Sequence, residues 1–508
     1  MVQRGPKSGR LRFLTNDHAR EIHVSSLEVL ESVGMHCPSA KIMEIFDRAG
    51  AAVDFKEKRI RIPQHLVEES LKKAPREIVF CGRSAKHDIL LEDSRVYFGM
   101  GGTPVPYIRD VENGEIRRPT KDDMNQATRL GDALPNIKFI MTVAGAFDVP
   151  YEVEYLHEFE SLFNNTEKPI LYSCPGAYAA KKVLEMGATV VGGMDELKRR
   201  PILTLYTETV SPLSFTDVNE NMIEFAKAGI PVTNGPMPMC GASGPMTLAG
   251  TAVVSNAENL AAITLCQLVN PHTPVIYTGW VCAIDPRTSR CAYGAPEFAM
   301  GTSIFNTTMG RYYDLPTYGF GGCSDSKLPD AQAGAEVMMN GMLAALGGVN
   351  LIHDCGYLAG GSIGSMEMAV ICNEIAGMIL RIIQGVKVDE ETLAVDVIKN
   401  VGPGGHFMSQ KHTLEHLKEL YLPVIFDKTS EEAWIKTGKK DVRDVARLRC
   451  KEILREHSAE ALPRDIQEKL RQIVKGAEKE LVKTGSGSGP LSLHHLPPTR
   501  PKTLADAS

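Results

Sequence analysis

The sequence is poor in aromatic side chains, which make up 6% of its 508 residues and include only two tryptophans. An excess of one charge is also missing: Lys and Arg total 56, Asp and Glu 62, and the formal net charge is -6. With the two signs mixed along the chain there is no basic footprint for nucleic acid. No uninterrupted apolar run approaches the roughly 18 residues that cross a bilayer. Nor do Arg4, Lys7, Arg10 and Arg12 lead into the apolar segment of a signal peptide, so a cytoplasmic protein is expected. Cysteine pairs at CxxC spacing are absent, and the odd count of eleven cysteines reads as reduced thiols rather than a disulfide framework.

Glycine and proline, by contrast, are plentiful, at 45 and 30 residues, and they punctuate a regular rhythm. Residues 1–92 carry helical periodicity with one short strand, IVFCG, and are expected to form a mainly helical cap. From Arg95 onward an apolar strand, a glycine- or proline-marked loop and an amphipathic helix recur. The strands predicted are Val96–Gly99, Phe139–Val143, Pro169–Ser173, Ile202–Tyr206, Pro231–Thr233, Val275–Thr278, Thr317–Phe320 and Leu351–His353. Eight strand-helix repeats with buried, non-alternating strands predict an α/β protein, a (β/α)8 TIM barrel over residues 93–385. A doubly wound sheet follows the same local pattern and is the alternative. A helical extension over 386–483 and a disordered Gly/Ser/Pro-rich tail over 484–508 complete the expected organisation.

In parallel α/β proteins the loops at the carboxyl ends of the strands hold the ligand, and the most heavily loaded pair lies within Gly319–Gly361. Aromatic residues placed at this rim are Tyr97, Phe98, Phe147, Tyr172, Tyr206, Trp280, Phe320 and Tyr357; several aromatic faces together hold a quaternary ammonium, although each singly closes a core just as well. Glu208, Asp285, Asp325, Asp330 and Asp354 are the rim acids, with Asp330 placed to cap a helix. Cys174, Cys240, Cys282, Cys323 and Cys355 fall near strand ends, with His353 among them. Zinc on these groups is one reading; packing of small buried thiols is the other. His412 and His416, four apart, could share a helix face as ligands, but without the glutamate of HExxH they read as a packing or partner-docking face.

The strings SDSKLPDAQAGAE, NLIHDCGYLAGG, GPMTLAGTAVVSNAENLAAI, GPGGHF and LPVIFDKTSEEAWIKTGKKD together resemble the trimethylamine methyltransferase family over about residues 15–457. The resemblance implies a TIM barrel that moves a methyl group from a methylated amine to the cobalt of a small corrinoid protein. One branch of that family carries pyrrolysine after the seventh strand, and here only standard residues stand there. This implies the branch acting on quaternary amines such as glycine betaine, with the corrinoid (cobalamin) supplied by a partner protein and no bound metal. On that reading Asp325, His353 and Gln332 are the catalytic candidates, and Phe147, Tyr206, Glu208, Trp280, Phe320 and Tyr357 the substrate contacts. The rim glycines Gly321, Gly322, Gly356 and Gly360 would let a large flat corrinoid approach the backbone. A zinc-thiolate alkyl transferase on the same barrel and a non-catalytic betaine- or corrinoid-binding protein are the alternatives. The additions at both ends of the barrel leave surface for a homo-oligomer.

Overall fold

A computed structural model describes residues 2–482; the tail predicted over 484–508 lies outside the described residues. Eight parallel strands form one sheet: β1 Tyr97–Met100, β2 Ile137–Ile140, β3 Ile170–Tyr172, β4 Leu203–Thr207, β5 Val232–Asn234, β6 Val275–Ile276, β7 Tyr318–Phe320 and β8 Leu351–Cys355. Each strand pairs with its neighbours in sequence, and β8 returns to β1 through Leu351 opposite Tyr97 and Ile352 opposite Phe98. The last seam is closed just beyond β6, where Tyr277 N donates to Pro316 O at 2.8 Å and Tyr318 N to Tyr277 O at 3.0 Å. Consecutive order with a sealed seam is a (β/α)8 barrel, and it excludes the doubly wound alternative, whose strand order reverses at a switch point.

The outer ring comprises α1 Lys121–Ala133, α2 Glu154–Asn165, α3 Gly176–Val191, α4 Glu220–Ala228, α5 Leu248–Val269, α6 Asn306–Tyr313, α7 Ala331–Gly347 and α8 Met366–Gln384. Their starts are fixed chemically. Thr120 and Asp123 form a capping box on α1, Thr247 caps α5, Asp330 accepts from Ala333 N on α7, and Ser365 caps α8. Of these, α5 is long and apolar enough by length and composition to cross a membrane, but most of it is buried. Its polar side chains are used internally: Asn256 donates to Ser26 Oγ at 2.9 Å, and Glu258 accepts from Ser211 Oγ at 2.7 Å.

The N-terminal segment has helices at Asn16–Ser32, Ala40–Arg48 and Gln64–Lys73, with more strand than its sequence pattern indicates. Short strands Met35–His36, Ala52–Asp54 and Arg59–Arg61 form an antiparallel sheet, and Ile78–Phe80 pairs with Ile89–Leu91. Each is two or three residues long, too brief for a period-2 signal to emerge. The first residues cross the floor of the barrel, where Gly5 N donates to the Tyr97 hydroxyl at 2.9 Å. Tyr97 therefore opens β1 at the floor and does not belong to the rim. Beyond α8, helices Val442–Glu456 and Arg464–Leu481 fold back on the ring through Arg447 to Glu367 (2.7 Å), His457 to Asp132 (2.8 Å) and His157 to Glu478 (2.9 Å).

Gly321 and Gly322 are buried where β7 leaves the sheet, and their backbones approach β8. A Cβ on Gly322 would lie 2.2 Å from Cys355 N, and one on Gly321 2.2 Å from Ile352 Cγ2. Gly322→Ala is expected to lower stability by about 1–3 kcal/mol through overpacking, read as a lowered midpoint in thermal or urea unfolding; an unchanged midpoint would refute this packing account.

Candidate active site

At the carboxyl ends of β4, β6, β7 and β8 the inward rings meet. Trp280 lies 4.4 Å from Phe320 and 5.4 Å from Tyr318, and His353 is stacked on Tyr318 at 4.2 Å and 19°. Phe320 and Trp280 stand 4.5 and 5.6 Å from the same imidazole, and Tyr206 closes the group 6.3 Å from Trp280. Tyr293 and Phe298, from the segment after β6, extend it through contacts with Phe320 at 5.9 and 5.2 Å. Tyr318 and Phe320 are two apart in a strand, so both face inward; Tyr318 was legible by that alternation but was not singled out.

The arrangement is held rigidly. Trp280 Nε1 donates to Tyr318 O at 2.8 Å. Asn306, at the start of α6, accepts from Gly279 N at 3.1 Å and donates to the same Tyr318 carbonyl at 2.8 Å. It follows a π-helical stretch, Met300–Phe305, a distortion that often marks functional sites. Glu336 on α7 organises the β7 loop, accepting from Ser324 Oγ (2.6 Å), Asp325 N (2.8 Å) and Gln332 Nε2 (2.8 Å).

Two carboxylates face this aromatic group. Tyr206 donates its hydroxyl to Glu208, which is half-buried whereas most of its neighbours are buried, so solvent reaches the cluster on this side. Burial raises the Glu208 pKa; the Tyr206 hydroxyl opposes the rise and the charge of Asp354 adds to it. Asp354 has left-handed backbone, φ 70°, and its N–H donates to Gly101 O at 2.9 Å. Its Oδ1 is 2.7 Å from His353 Nδ1, yet misaligned for a hydrogen bond, so both imidazole nitrogens are buried without a hydrogen-bond partner. Distance alone does not make that contact a hydrogen bond. Among the described residues no Lys or Arg forms an ion pair with Glu208 or Asp354. The phenols of Tyr206, Tyr318 and Tyr357 are pushed up by burial and by these carboxylates, and stay protonated.

A profile described as trimethylamine methyltransferase (MTTB) matches residues 4–481. The chain belongs to the trimethylamine methyltransferase family. It is 39% identical over 471 residues to the trimethylamine methyltransferase MttB of Desulfitobacterium hafniense (strain DSM 10664 / DCB-2), covering 92% of this chain and 95% of that relative. It is 34% identical over 476 residues to the glycine betaine methyltransferase of Desulfitobacterium hafniense (strain Y51), covering 93% and 98%. The trimethylamine methyltransferase MttB of Methanosarcina barkeri (strain Fusaro / DSM 804) is 31% identical, with 92% and 96% covered.

Within this trimethylamine methyltransferase family chain, the structure sorts the remaining candidates. Phe147 makes none of these ring contacts and has the Arg118 guanidinium over its face, 5.0 Å from the centroid. Gln332 is exposed on α7 with its amide donating to Glu336. Asp325 binds loops together, accepting from Gly294 N at 2.8 Å. Tyr357 uses its hydroxyl on backbone, accepting from Gly102 N at 2.9 Å and donating to Thr142 O at 2.8 Å. Gly321, Gly322 and Gly356 are buried against protein atoms, so the close approach they permit is internal; Gly360, half-buried with φ 61°, is the member of the set nearest solvent. Asp285 is bound by Arg287 at 2.7 Å, and Asp330 is spent on its helix cap.

The five rim cysteines are buried. Burial pushes the Cys174 and Cys323 thiols up, and Cys355 shares a thiol contact with Cys372. Among the described residues no three His, Cys, Asp or Glu side chains are grouped to hold a metal ion.

The raised pKa of Glu208 carries a stability consequence of definite sign. Between its ordinary value of 4.5 and its raised value the native state holds a proton that the unfolded chain releases, so stability falls as pH rises through that window. Glu208→Gln is expected to remove this part of the pH dependence and raise the melting temperature at neutral pH. Parallel melting curves for the two proteins between pH 5 and 8 would contradict it.

Proposed function

We propose that this methyltransferase moves a methyl group from a quaternary amine of the betaine class to the Co(I) corrinoid carried by a partner protein. The observation that carries the reading is the pair of carboxylates, Glu208 and Asp354, standing without Lys or Arg beside the rings of Tyr206, Trp280, Tyr318 and Phe320. A negative, aromatic, poorly hydrated recess fits a cation that cannot donate hydrogen bonds, which describes a quaternary ammonium. The relative that acts on glycine betaine by name supports the substrate class. Those named for trimethylamine share the N-methyl group being transferred.

In this reading the cationic head enters on the Glu208 side, where solvent already reaches. Glu208 supplies the compensating charge, the rings of Trp280 and Phe320 exclude water, and the unpartnered imidazole of His353 faces the substrate's carboxylate end. A quaternary amine leaves as a neutral tertiary amine, so the chain need not furnish a proton to the leaving group. The corrinoid supplies the nucleophile; the chain's residues bind, orient and desolvate. Attraction between a cationic methyl donor and an electron-rich nucleophile is weakened by water, and a dry mouth preserves it.

The test mixes purified protein with Co(I) cobalamin and, separately, glycine betaine, proline betaine, carnitine, γ-butyrobetaine and trimethylamine, following the methyl-cobalt(III) absorption. At least one quaternary amine is expected to give it; no signal with any of them, or a signal with trimethylamine alone, overturns the substrate assignment. Phe320→Leu keeps the volume apolar but removes a π face worth about 0.5–2 kcal/mol, so KM for the active betaine is expected to rise roughly 2- to 30-fold with kcat much less affected. An unaltered KM would remove Phe320 from the cation site.

A further inference from the structure

Of the eleven cysteines ten are buried, and Cys291 is the half-buried one. It lies on an antiparallel hairpin after β6, in which Ile284–Asp285 pairs with Arg290–Cys291, Ile284 stands opposite Cys291, and Ala292 N donates to Ala283 O at 3.0 Å. Residues 286–290 at its tip are exposed. Residues directly opposite in such a pair share a face, as do residues two apart along a strand, so Cys282, Ile284 and Cys291 project to the same side. The Cys282 thiol accordingly meets that of Cys291, and this contact, ahead of burial, pushes the Cys282 thiol up. The two sulfurs bracket the hairpin, one two residues after Trp280 and the other two residues before Tyr293, and both of those rings pack on Phe320.

We propose that Cys282 and Cys291 form a reversible oxidation site for a hydroperoxide, closing as a disulfide that repositions the rings of the mouth. Cys291 is the sulfur that solvent reaches; Cys282, 1% exposed and holding its proton, is the resolving partner. Attack of the Cys291 sulfur on hydrogen peroxide forms an S–O bond and breaks the O–O bond, leaving a sulfenic acid and one water. The Cys282 sulfur then displaces that oxygen: the S–S bond forms, the S–O bond breaks, and the hydroxyl leaves with the Cys282 proton as a second water. Two thiols are oxidised and one peroxide is reduced, with no further reagent. Cys355 and Cys372, also in thiol contact, are both buried and closed to an oxidant.

Closure moves the hairpin. Diagonal neighbours across an antiparallel pair are about 7–8 Å apart, whereas a disulfide joins Cα atoms no more than about 6.8 Å apart. Cys282 is fixed from behind, its N–H donating to Pro238 O at 3.0 Å and its carbonyl accepting from Cys240 N at 2.9 Å. The strand of Cys291 therefore gives way and carries Tyr293 with it. That this displacement bears on the substrate rests on the proposed role of the mouth; the bond between the thiols does not.

The experiment treats the reduced full chain with a few equivalents of hydrogen peroxide, blocks remaining thiols with iodoacetamide and cuts with trypsin, which cleaves at Arg287 and Arg290 between the two cysteines. Mass spectrometry is expected to find a peptide ending at Arg287 joined to one beginning at Cys291, released by dithiothreitol. Formation of the bond is expected to bring a loss of Trp280 emission, read in a Trp434→Phe background. Cys291→Ser should lose both signals, and Cys282→Ala should stop at a sulfenic acid that dimedone traps on Cys291. A treated chain with both thiols still alkylated, a link from Cys291 to any other cysteine, or a disulfide that leaves Trp280 emission unchanged would overturn the proposal. Neither cobalt nor an amine is present, so this outcome is separate from that of the methyl-transfer assay.

Discussion

Negative charge held without a counter-ion in an apolar recess is the constraint on which this site turns. Carboxylates placed among rings lose hydration and ordinarily recover it through a lysine, an arginine or several N–H donors. Glu208 has one phenol, and Asp354 has a misaligned imidazole. The deficit is tolerated because everything around it is over-determined. Asn306 fixes Gly279 and Tyr318, Trp280 hangs from the Tyr318 carbonyl, and Tyr357 ties the loops after β1 and β2 to β8. Strain of this sort is retained where it prepares a site for a ligand.

The left-handed turn at Asp354 shows how the backbone takes part. With φ at 70° the carboxylate is directed to the mouth, and Gly102 leaves it room, since a Cβ there would fall 2.6 Å from Asp354 Oδ1. Aspartate is among the residues that adopt this conformation at modest cost. The neighbouring thiol of Cys355 points instead toward Cys372, so adjacent residues of one strand serve the recess and the outer layer respectively.

Much of the fold was legible because each strand is a short apolar run followed by glycine or proline. All eight were located within three residues at either end, the largest displacement being β2, which runs Ile137–Ile140 rather than Phe139–Val143. The meeting of Trp280, Phe320, Tyr206 and His353 was likewise legible from strand-end position, since closure of the ring brings such ends together. The surroundings of Phe147 and Gln332 were not legible in the same way: the first has the Arg118 guanidinium over its ring, and the second donates its amide to Glu336 one turn along the same helix. A missing Cβ reports close approach without naming what approaches; for Gly321 and Gly322 the next strand does.

The floor of the barrel has its own implication for how the chain is made. Ser8 N bonds to Ser94 O and Leu11 N to Leu346 O, so the floor is closed by residues far apart along the chain. Contacts of such long sequence separation slow folding. Contacts of this kind gain nothing until the strands they join have been brought together, which ties the integrity of the base to that of the whole ring.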